Sequence, residues 1–256
     1  MKLPFLMSIP HCSGRVPDQV RPTLALTDAE IADSVDWGTK EIFGFLSAEE
    51  VLCAQWSRLV VDLNRDPERR DTKGVIAGID YFGRPVYRPG MAPDKSEING
   101  RLIEYYWPYH HRLRKALDQS HIKGLFNGHS LNGVGPSEAP DAGKKRRDIV
   151  LSNNGDHYGE MTPALGMTTC AVALLNLMKH VFLGAGFSVS INDPYSAGFI
   201  TTHYGQAFAE RGKFAVQVEI NKDLFSESET GKILPEKLVE AGSKIRGCFS
   251  EIARMI

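Results

Sequence analysis

The sequence lacks the cysteine pattern of a disulfide framework or of a thiolate zinc site. Its four cysteines are spread widely over 256 residues, and no two of them form a Cys-x-x-Cys pair. This spacing excludes the small disulfide-stapled scaffolds and the zinc knots, whose cysteines recur at short intervals. Because unpaired thiols are typical of a reducing compartment, we expect a cytoplasmic protein.

The chain also lacks an excess of charge of one sign and a long unbroken hydrophobic run. Its formal net charge is −1, so no overall field would attract nucleic acid or an acidic membrane surface. The longest apolar region, residues 164–183, is interrupted by Asn176, Lys179 and His180, and we interpret it as a buried helix. The apolar N-terminus meets His11 too soon to be a signal peptide. We therefore expect neither a nucleic-acid partner nor a membrane partner, while the oligomeric state stays open.

The composition is that of a globular protein with a sizeable core. Hydrophobic residues make up 42% of the chain and charged residues 24%. Short apolar runs of strand length alternate with stretches of helical spacing, such as residues 97–119 and the tail from Pro235. This alternation predicts an α/β fold with a mostly parallel sheet, and the length favours a single domain over residues 1–256.

Polar side chains directly follow four apolar runs that we interpret as strands. The runs are residues 5–9, 59–61, 123–126 and 214–218, and the polar residues that follow them include His11, Asn64, Arg65, His129 and Glu219. Open α/β sheets bind ligands just beyond the carboxyl ends of their strands. Two histidines, an amide, a guanidinium and a carboxylate delivered there predict a metal-hydrolase site.

His11 and His129 are the first candidates for metal ligands. A catalytic zinc ion takes three protein ligands and keeps an open position for water. Each histidine has Ser and Gly nearby, which allow the backbone to approach closely. The third ligand should be a carboxylate or another histidine, and the candidates are Asp33 and Asp36. We place Asp36 within an amphipathic helix, where it could equally be a solvated surface residue.

Asn64 and Arg65 are candidates for binding a ligand carboxylate. The planar guanidinium fork holds a carboxylate through two hydrogen bonds, although Arg65 could equally pair with an internal acid. Arg58 precedes them closely and is predicted to join them. Glu219 ends an apolar strand, where its carboxylate could cap a loop or act as the base towards a metal-bound water.

A second set of candidates lies in residues 192–205. This segment, rich in Gly and polar residues, has the composition of a loop that folds over a ligand. Asn192 and Tyr204 within it are predicted substrate contacts. His203 is better explained as part of the loop structure than as a metal ligand.

Taken in order along the chain, these segments resemble the N-formylglutamate amidohydrolase family. The likeness extends from Leu6 to about Phe225. The matching pieces are Ser8-Ile-Pro-His11 with Gly14, Asp36-Trp37, Ser57-Arg58, Val61-Asp62-Leu-Asn-Arg-Asp-Pro67, Tyr87-Arg-Pro-Gly90 with Ala92-Pro-Asp94, Pro108-Tyr-His110, Gly128-His-Ser130, Asn192 with Pro194, residues 198–205 and Gln217-Val-Glu219. No single piece is decisive, but the ordered set is specific.

The resemblance implies a three-layer αβα fold with a mostly parallel or mixed central sheet, similar to phosphorylase/hydrolase-like folds and to zinc carboxypeptidases. It also implies Zn2+ or another divalent metal held by two histidines and one acid. Carried over by residue, the implied ligands are His11 and His129, the implied carboxylate-binding residues are Asn64 and Arg65, and the implied general base is Glu219. Related enzymes place a glutamate three residues after the first histidine; because Gly14 stands there, Asp36 is predicted as the third ligand.

Three functions are open at this level. The first is a metal-dependent amidohydrolase that acts on a small N-acyl amino acid, such as N-formyl-L-glutamate. The second is a zinc carboxypeptidase or amidase acting on a peptide or a cell-wall fragment, with the long loops at 66–95 and 132–147 framing a wider cleft. The third is a non-catalytic binding protein on the same fold.

Overall fold

A mixed sheet of six strands forms the centre of the computed structural model, which describes residues 2–227 and 230–256. The strands are β1 (Leu3–Ile9), β2 (Ala48–Cys53), β3 (Gly124–Leu131), β4 (Ile149–Ser152), β5 (Val189–Ile191) and β6 (Phe214–Asn221). Their order in the sheet is β2-β1-β3-β6-β4-β5. Strands β1, β2, β3 and β6 are parallel, whereas β4 is antiparallel to β6 and β5 follows β4. The carboxyl ends of β1, β3 and β6 therefore share one edge.

Helices cover both faces of this sheet. They are α1 (Asp28–Ala32), α2 (Thr39–Phe43), α3 (Lys95–Arg101), α4 (Trp107–Leu117), α5 (Val172–Gly184), α6 (Phe199–Ala207) and α7 (Pro235–Met255). A π-helical turn, Leu102–Tyr106, joins α3 to α4. The described part of the chain also has three short 3-10 turns, at Arg21–Thr23, Ala209–Arg211 and Lys222–Leu224. Among the described residues, none of the helices combines the length and the apolar character needed to cross a membrane.

Side-chain alternation along the strands gives each face its own core. Met7 of β1, Phe126 of β3 and Val216 of β6 pack with α2, α5 and α7 on one face. Leu125 of β3 and Ala215 of β6 point the other way and pack with α4 and α6. Successive strand residues point to opposite faces, which explains the near-continuous apolar runs of a sheet buried on both sides. The three-layer αβα fold with a mixed sheet is confirmed.

Two helices have residues at their ends that favour those ends, and the helix predicted at 164–183 starts later than expected. Thr27 caps α1 through the amide of Glu30, as the sequence indicates. Gly186, with φ 89°, adopts the left-handed conformation that ends α5. The helix does not start at residue 164, however. Thr169 donates its hydroxyl to the carbonyl of Ala215 and ties this segment to β6, so α5 starts only at Val172.

The predicted strand at residues 59–61 is wrong. These residues are buried in the second core, but they lie in turns, with the amide of Val60 bonded to the carbonyl of Ser57. A short buried apolar run has the same pattern whether or not it is a strand. The helical placement of Asp36 is also wrong, because α1 ends at Ala32. A single domain over residues 1–256 stays a prediction.

Candidate active site

A cavity of about 160 Å³ lies at the edge where β1, β3 and β6 end. His11 follows β1, while His129 of β3 and Glu219 of β6 are register partners on adjacent strands. Equal register places these two side chains on the same face of the sheet. All three residues line the cavity. The structure thus brings together the residues that the strand-end pattern selected from β1, β3 and β6.

His11, Asp36 and His129 form a compact group of possible metal ligands. Their ligand atoms all lie within 4.8 Å of one another. Asp36 Oδ2 is 2.9 Å from His129 Nδ1 and 3.4 Å from His11 Nδ1. Asp36 reaches this position because its amide donates a hydrogen bond to the carbonyl of His11 at 3.0 Å. A backbone contact thus holds the loop after α1 against the end of β1.

The donor set fits a divalent metal ion. His11 Nε2 lies 2.7 Å from Asp62 Oδ1, and His11 Nδ1 is buried with no hydrogen-bond partner among the described residues. Buried polar atoms almost always have a partner, so this nitrogen points to a missing ligand. With Asp62 accepting from Nε2, the lone pair of Nδ1 is free. Two imidazole nitrogens and one carboxylate match a catalytic zinc site.

The pKa values of two buried carboxylates near the histidines are lowered by their neighbours. Burial by itself raises the pKa of Asp36, but the contacts with His11 and His129 outweigh it and hold the pKa below its usual range. Burial also acts to raise the pKa of Asp62, and here the charge of Arg58 reverses the effect and holds the pKa well below the usual value. Arg58 Nη2 is 2.6 Å from Asp62 Oδ2. Arg58 lines the cavity, but its guanidinium group is already paired with the carboxylate of Asp62.

Asn64 and Arg65 both line the cavity and have different partners. Asn64 Nδ2 is 3.2 Å from His129 Nε2, and Asn64 Oδ1 accepts the amide of Ile200 at 3.0 Å. Arg65 donates from Nε to the carbonyl of Lys73 and from Nη2 to the hydroxyl of Tyr81. These contacts fix the guanidinium at the cavity wall. Carboxylate binding by the pair stays a prediction.

Glu219 is buried at the cavity wall, where it accepts a hydrogen bond from Gln217 Nε2 at 3.0 Å. Gln217 Oε1 in turn accepts the amide of Gly198 at 2.7 Å. A Cβ at Gly198 would collide with the amide of Asn64, so this close approach needs glycine. Burial raises the pKa of Glu219 above its usual value. The carboxyl group is therefore poised to exchange a proton nearer to neutral pH.

Comparison with known proteins decides the family. A model of the N-formylglutamate amidohydrolase family matches residues 3–226. The chain belongs to the N-formylglutamate amidohydrolase family. Like the named relatives in this family, it is a hydrolase of carbon–nitrogen amide bonds. The resemblance inferred from the ordered motifs is confirmed.

Relatives of this amidohydrolase match it along most of its length. It is 30% identical over 254 residues to the N-formylglutamate deformylase of Pseudomonas aeruginosa, covering 94% of this chain and 88% of that protein. It is 29% identical over 242 residues to the N-formylglutamate deformylase of Pseudomonas putida, covering 88% and 83%. The crystal structure of N-formylglutamate amidohydrolase from Ralstonia eutropha shares the fold, with a TM-score of 0.80, 19% identity and coverage of 100% and 94%.

Two predicted substrate contacts of this amidohydrolase do not line the cavity. Asn192 follows β5, which runs opposite to β6, so its strand ends away from the shared edge. Its amide donates to Asn153 Oδ1 at 2.8 Å and to the carbonyl of Asp156. Tyr204 lies in α6, buried in the second core, and its hydroxyl donates to the carbonyl of His110 at 3.0 Å. Both side chains bind the protein itself.

The candidate active site also contains residues that the strand-end pattern missed. Asp62 contacts His11, and its position after the buried run was the available signal. Arg146 and Tyr195 line the cavity from loops around β4 and β5, which no sequence pattern connects to the shared edge. Lys222 also lines it, three residues after Glu219. This short separation from a candidate base was the signal that could have found it.

Proposed function

We propose that this amidohydrolase is metal-dependent and cleaves N-formyl-L-glutamate into formate and L-glutamate. The observation that carries this proposal is the group of His11, Asp36 and His129, with ligand atoms within 4.8 Å of one another. Glu219 lines the same cavity, so a base is available beside the metal ligands. The names of the two Pseudomonas relatives support N-formylglutamate as the substrate.

Each of these side chains has a role in this reaction. A zinc ion, or another divalent metal, held by the three ligands would polarise the formyl carbonyl and acidify a water molecule. Asp62 keeps the proton of His11 on Nε2 and leaves Nδ1 free as a ligand atom. Glu219 takes the proton of the attacking water and gives it to the amide nitrogen as the carbon–nitrogen bond breaks. Its raised pKa suits a group that both accepts and donates a proton.

The small cavity favours an amino-acid substrate over a peptide or a cell-wall fragment. Its volume is about 160 Å³, below the usual range for drug-sized ligands. Tyr81 and Phe82 from the loop at 66–95, and Pro136 from the loop at 132–147, line it. These loops border the site and limit its width, whereas a peptidase would need a wider cleft. A panel of N-formyl amino acids, N-acetyl amino acids and dipeptides tests the assignment; cleavage of the dipeptides alone would contradict it.

Asp36→Asn is expected to lower the metal content of the purified protein and its deformylase activity together. The substitution keeps the size of the side chain but removes the ionised oxygen that lies 2.9 Å from His129 Nδ1. A neutral amide is a weaker ligand for zinc than a carboxylate. Metal analysis of the purified variant provides the measurement.

Asp33→Asn is the matched control for this experiment. Asp33 lines the same cavity but pairs with Arg84 Nη2 at 2.9 Å, outside the histidine group. This variant should keep its metal. If Asp36→Asn keeps full metal occupancy and Asp33→Asn loses it, the third ligand is Asp33.

Arg65→Lys is expected to raise KM for N-formyl-L-glutamate, with a loss of about tenfold or more in kcat/KM. Lysine keeps the positive charge but cannot form two parallel hydrogen bonds with a carboxylate. It also loses the bonds that hold the guanidinium to Lys73 and Tyr81. Steady-state kinetics measure the effect.

Arg211→Lys serves as the control, because its guanidinium pairs with Asp118 on the surface. Substrate analogues make the test specific. If amide analogues that lack a carboxylate react as fast as the acids in the unmodified protein, Arg65 and Asn64 do not bind a carboxylate.

We also propose that the protein acts in the cytoplasm and that residues 1–256 work as one domain. Its four cysteines are free thiols, as is usual in a reducing compartment. Both cores pack against the one central sheet, which supports a single unit. Limited proteolysis that released two stable fragments would contradict the second point.

A further inference from the structure

The side chain of Lys222 lines the cavity, and its ammonium group can donate more hydrogen bonds than it does. Its Nζ donates one hydrogen bond, to the carbonyl oxygen of Val35 at 3.2 Å. An ammonium group has three donors, so two remain. Among residues 2–227 and 230–256, no carboxylate forms an ion pair with it. Lys222 can therefore accept an anionic ligand without breaking a salt bridge.

Two guanidinium groups that also line the cavity differ from Lys222, because each is paired with a carboxylate of the protein. Arg58 is paired with Asp62 at 2.6 Å. Arg146 donates two hydrogen bonds to the carboxylate of Asp141, at 2.7 and 2.6 Å. The protein itself thus balances both of these charges. Arg65 Nε is 4.0 Å from Asp62 Oδ2, at the outer limit of an ion pair, and the same oxygen is bound by Arg58 at 2.6 Å. Within the described part of the wall, Lys222 and Arg65 therefore remain the cations with capacity for a ligand.

The position of Lys222 makes an unbalanced charge costly. The side chain is half-buried, and burial lowers the pKa of Lys222 from its usual value, although the charges of Asp36 and Glu219 act in the opposite direction. A charge withdrawn from water destabilises the fold unless an opposite charge or hydrogen bonds compensate it. An anion bound in the cavity would supply both. The ammonium group is thus better satisfied with an anionic ligand than without one.

Lys222 and Arg65 are held by separate parts of the structure. Lys222 starts the 3-10 turn after β6, three residues beyond Glu219, and it contacts the loop that carries Asp36. Arg65 contacts Lys73 and Tyr81 of another loop. One small cavity therefore has two cationic groups that share no contact. A ligand with two carboxylates can satisfy both, whereas a monocarboxylate leaves one without a partner.

We infer that Lys222 binds one of the two carboxylates of a dicarboxylic substrate, while Arg65 binds the other. This inference rests on the proposed function and assigns the residue that recognises the second carboxylate of its substrate. Lys222 is thereby a specificity-determining residue. The ammonium group binds a fixed carboxylate and does not take part in the cleavage of the amide.

The test compares three substrates in the unmodified protein and in Lys222→Met, which keeps the length of the side chain and removes its charge. The substrates are N-formyl-L-glutamate, N-formyl-L-glutamine without the side-chain charge, and N-formyl-4-aminobutyrate without the α-carboxylate. We expect the preference for N-formyl-L-glutamate over one of the two analogues to fall by about 10- to 100-fold. The analogue affected identifies the carboxylate that Lys222 binds, and Lys222→Arg should keep part of the preference.

An equal loss of kcat/KM for all three substrates would overturn the inference, because it would place Lys222 at the reacting amide. The inference would also be overturned if kcat/KM for all three substrates stayed as in the unmodified protein. Lys213→Met is the matched control. Lys213 is also shielded from water and donates to the carbonyls of Leu117 and Gln119, away from the cavity, so its loss should leave the ratios as they are.

Calorimetric titration with L-glutamate separates this inference from the proposed reaction. We expect Lys222→Met to weaken L-glutamate binding by about 10- to 100-fold, independently of turnover. If the unmodified protein hydrolyses no N-formyl amino acid but Lys222→Met still weakens this binding, the proposed reaction fails and the role of Lys222 stands. If the protein is an active deformylase and neither the ratios nor the binding change, only the role of Lys222 fails.

Discussion

His129→Ala is expected to yield a folded protein that has lost its metal and its deformylase activity together. His129 is one of three possible ligands, and a catalytic zinc site with two protein ligands is incomplete. Loss of an outer partner of a zinc ligand typically costs about 10- to 100-fold in affinity or activity. Loss of a direct ligand should therefore cost more than this. Metal analysis and initial rates on the same preparation measure both effects.

His121→Ala is the control for this variant, since His121 is more than half exposed and lies outside the cavity. Thermal unfolding of both variants shows whether the fold is kept. Full metal occupancy in folded His129→Ala would contradict the assignment of His129 as a ligand. Metal loss with unchanged activity would contradict the proposal that the hydrolase is metal-dependent.

Glu219→Gln is expected to lower kcat by about 10²- to 10⁴-fold while the metal stays bound, as is typical when a positioned base is removed. The substitution keeps the size of the side chain and removes the group that accepts a proton. Because Glu219 is not in the group of possible ligands, its loss should leave metal binding intact. Initial rates and metal content, measured together, separate the two roles.

The pH dependence gives a second readout for Glu219. Burial raises the pKa of this carboxyl group above its usual value. Only the deprotonated form can take a proton from water, so activity should rise with pH as Glu219 loses its proton. The midpoint of that rise should lie above the usual glutamate value of 4.5. The rise should disappear from the residual activity of Glu219→Gln.

Glu240→Gln is the matched control, because Glu240 is exposed on α7 and pairs with Lys244. Loss of metal in Glu219→Gln would make Glu219 a ligand and leave the base unassigned. Near-normal activity would make Glu219 structural and would leave the base to another residue.

The sequence could predict the strands that deliver three of the site residues. The apolar runs before His11, His129 and Glu219 predicted that these residues lie together at the carboxyl ends of parallel strands. The structure places them there, because the carboxyl ends of β1, β3 and β6 share one edge of the sheet. The sequence pattern left Asp33 and Asp36 open as the third ligand, and the family resemblance favoured Asp36. It comes 25 residues after His11 in the printed sequence, and a backbone hydrogen bond between the two residues brings it into the site.

The sequence could not predict strand direction or the partners of charged groups. Alternation looks the same in both directions along a strand, so nothing in residues 189–191 revealed that β5 runs opposite to β6 and carries Asn192 away from the cavity. Arg58 was expected beside the substrate, yet it is paired with Asp62. Although these two residues are only four apart in sequence, they lie outside helices and strands, where spacing along the chain does not fix whether two side chains meet.

By itself, the sequence determined the fold class, the family and the edge of the sheet that carries the site. Those properties follow from local periodicity and from ordered motifs, both of which can be read along the chain. Tertiary structure decided which charges are balanced within the protein and which remain for a ligand. Arg58 and Arg146 have carboxylate partners, whereas Lys222 has none among the described residues. The members of these two pairs are only four and five residues apart, but they lie in loops, so folding decides whether their charges meet in space.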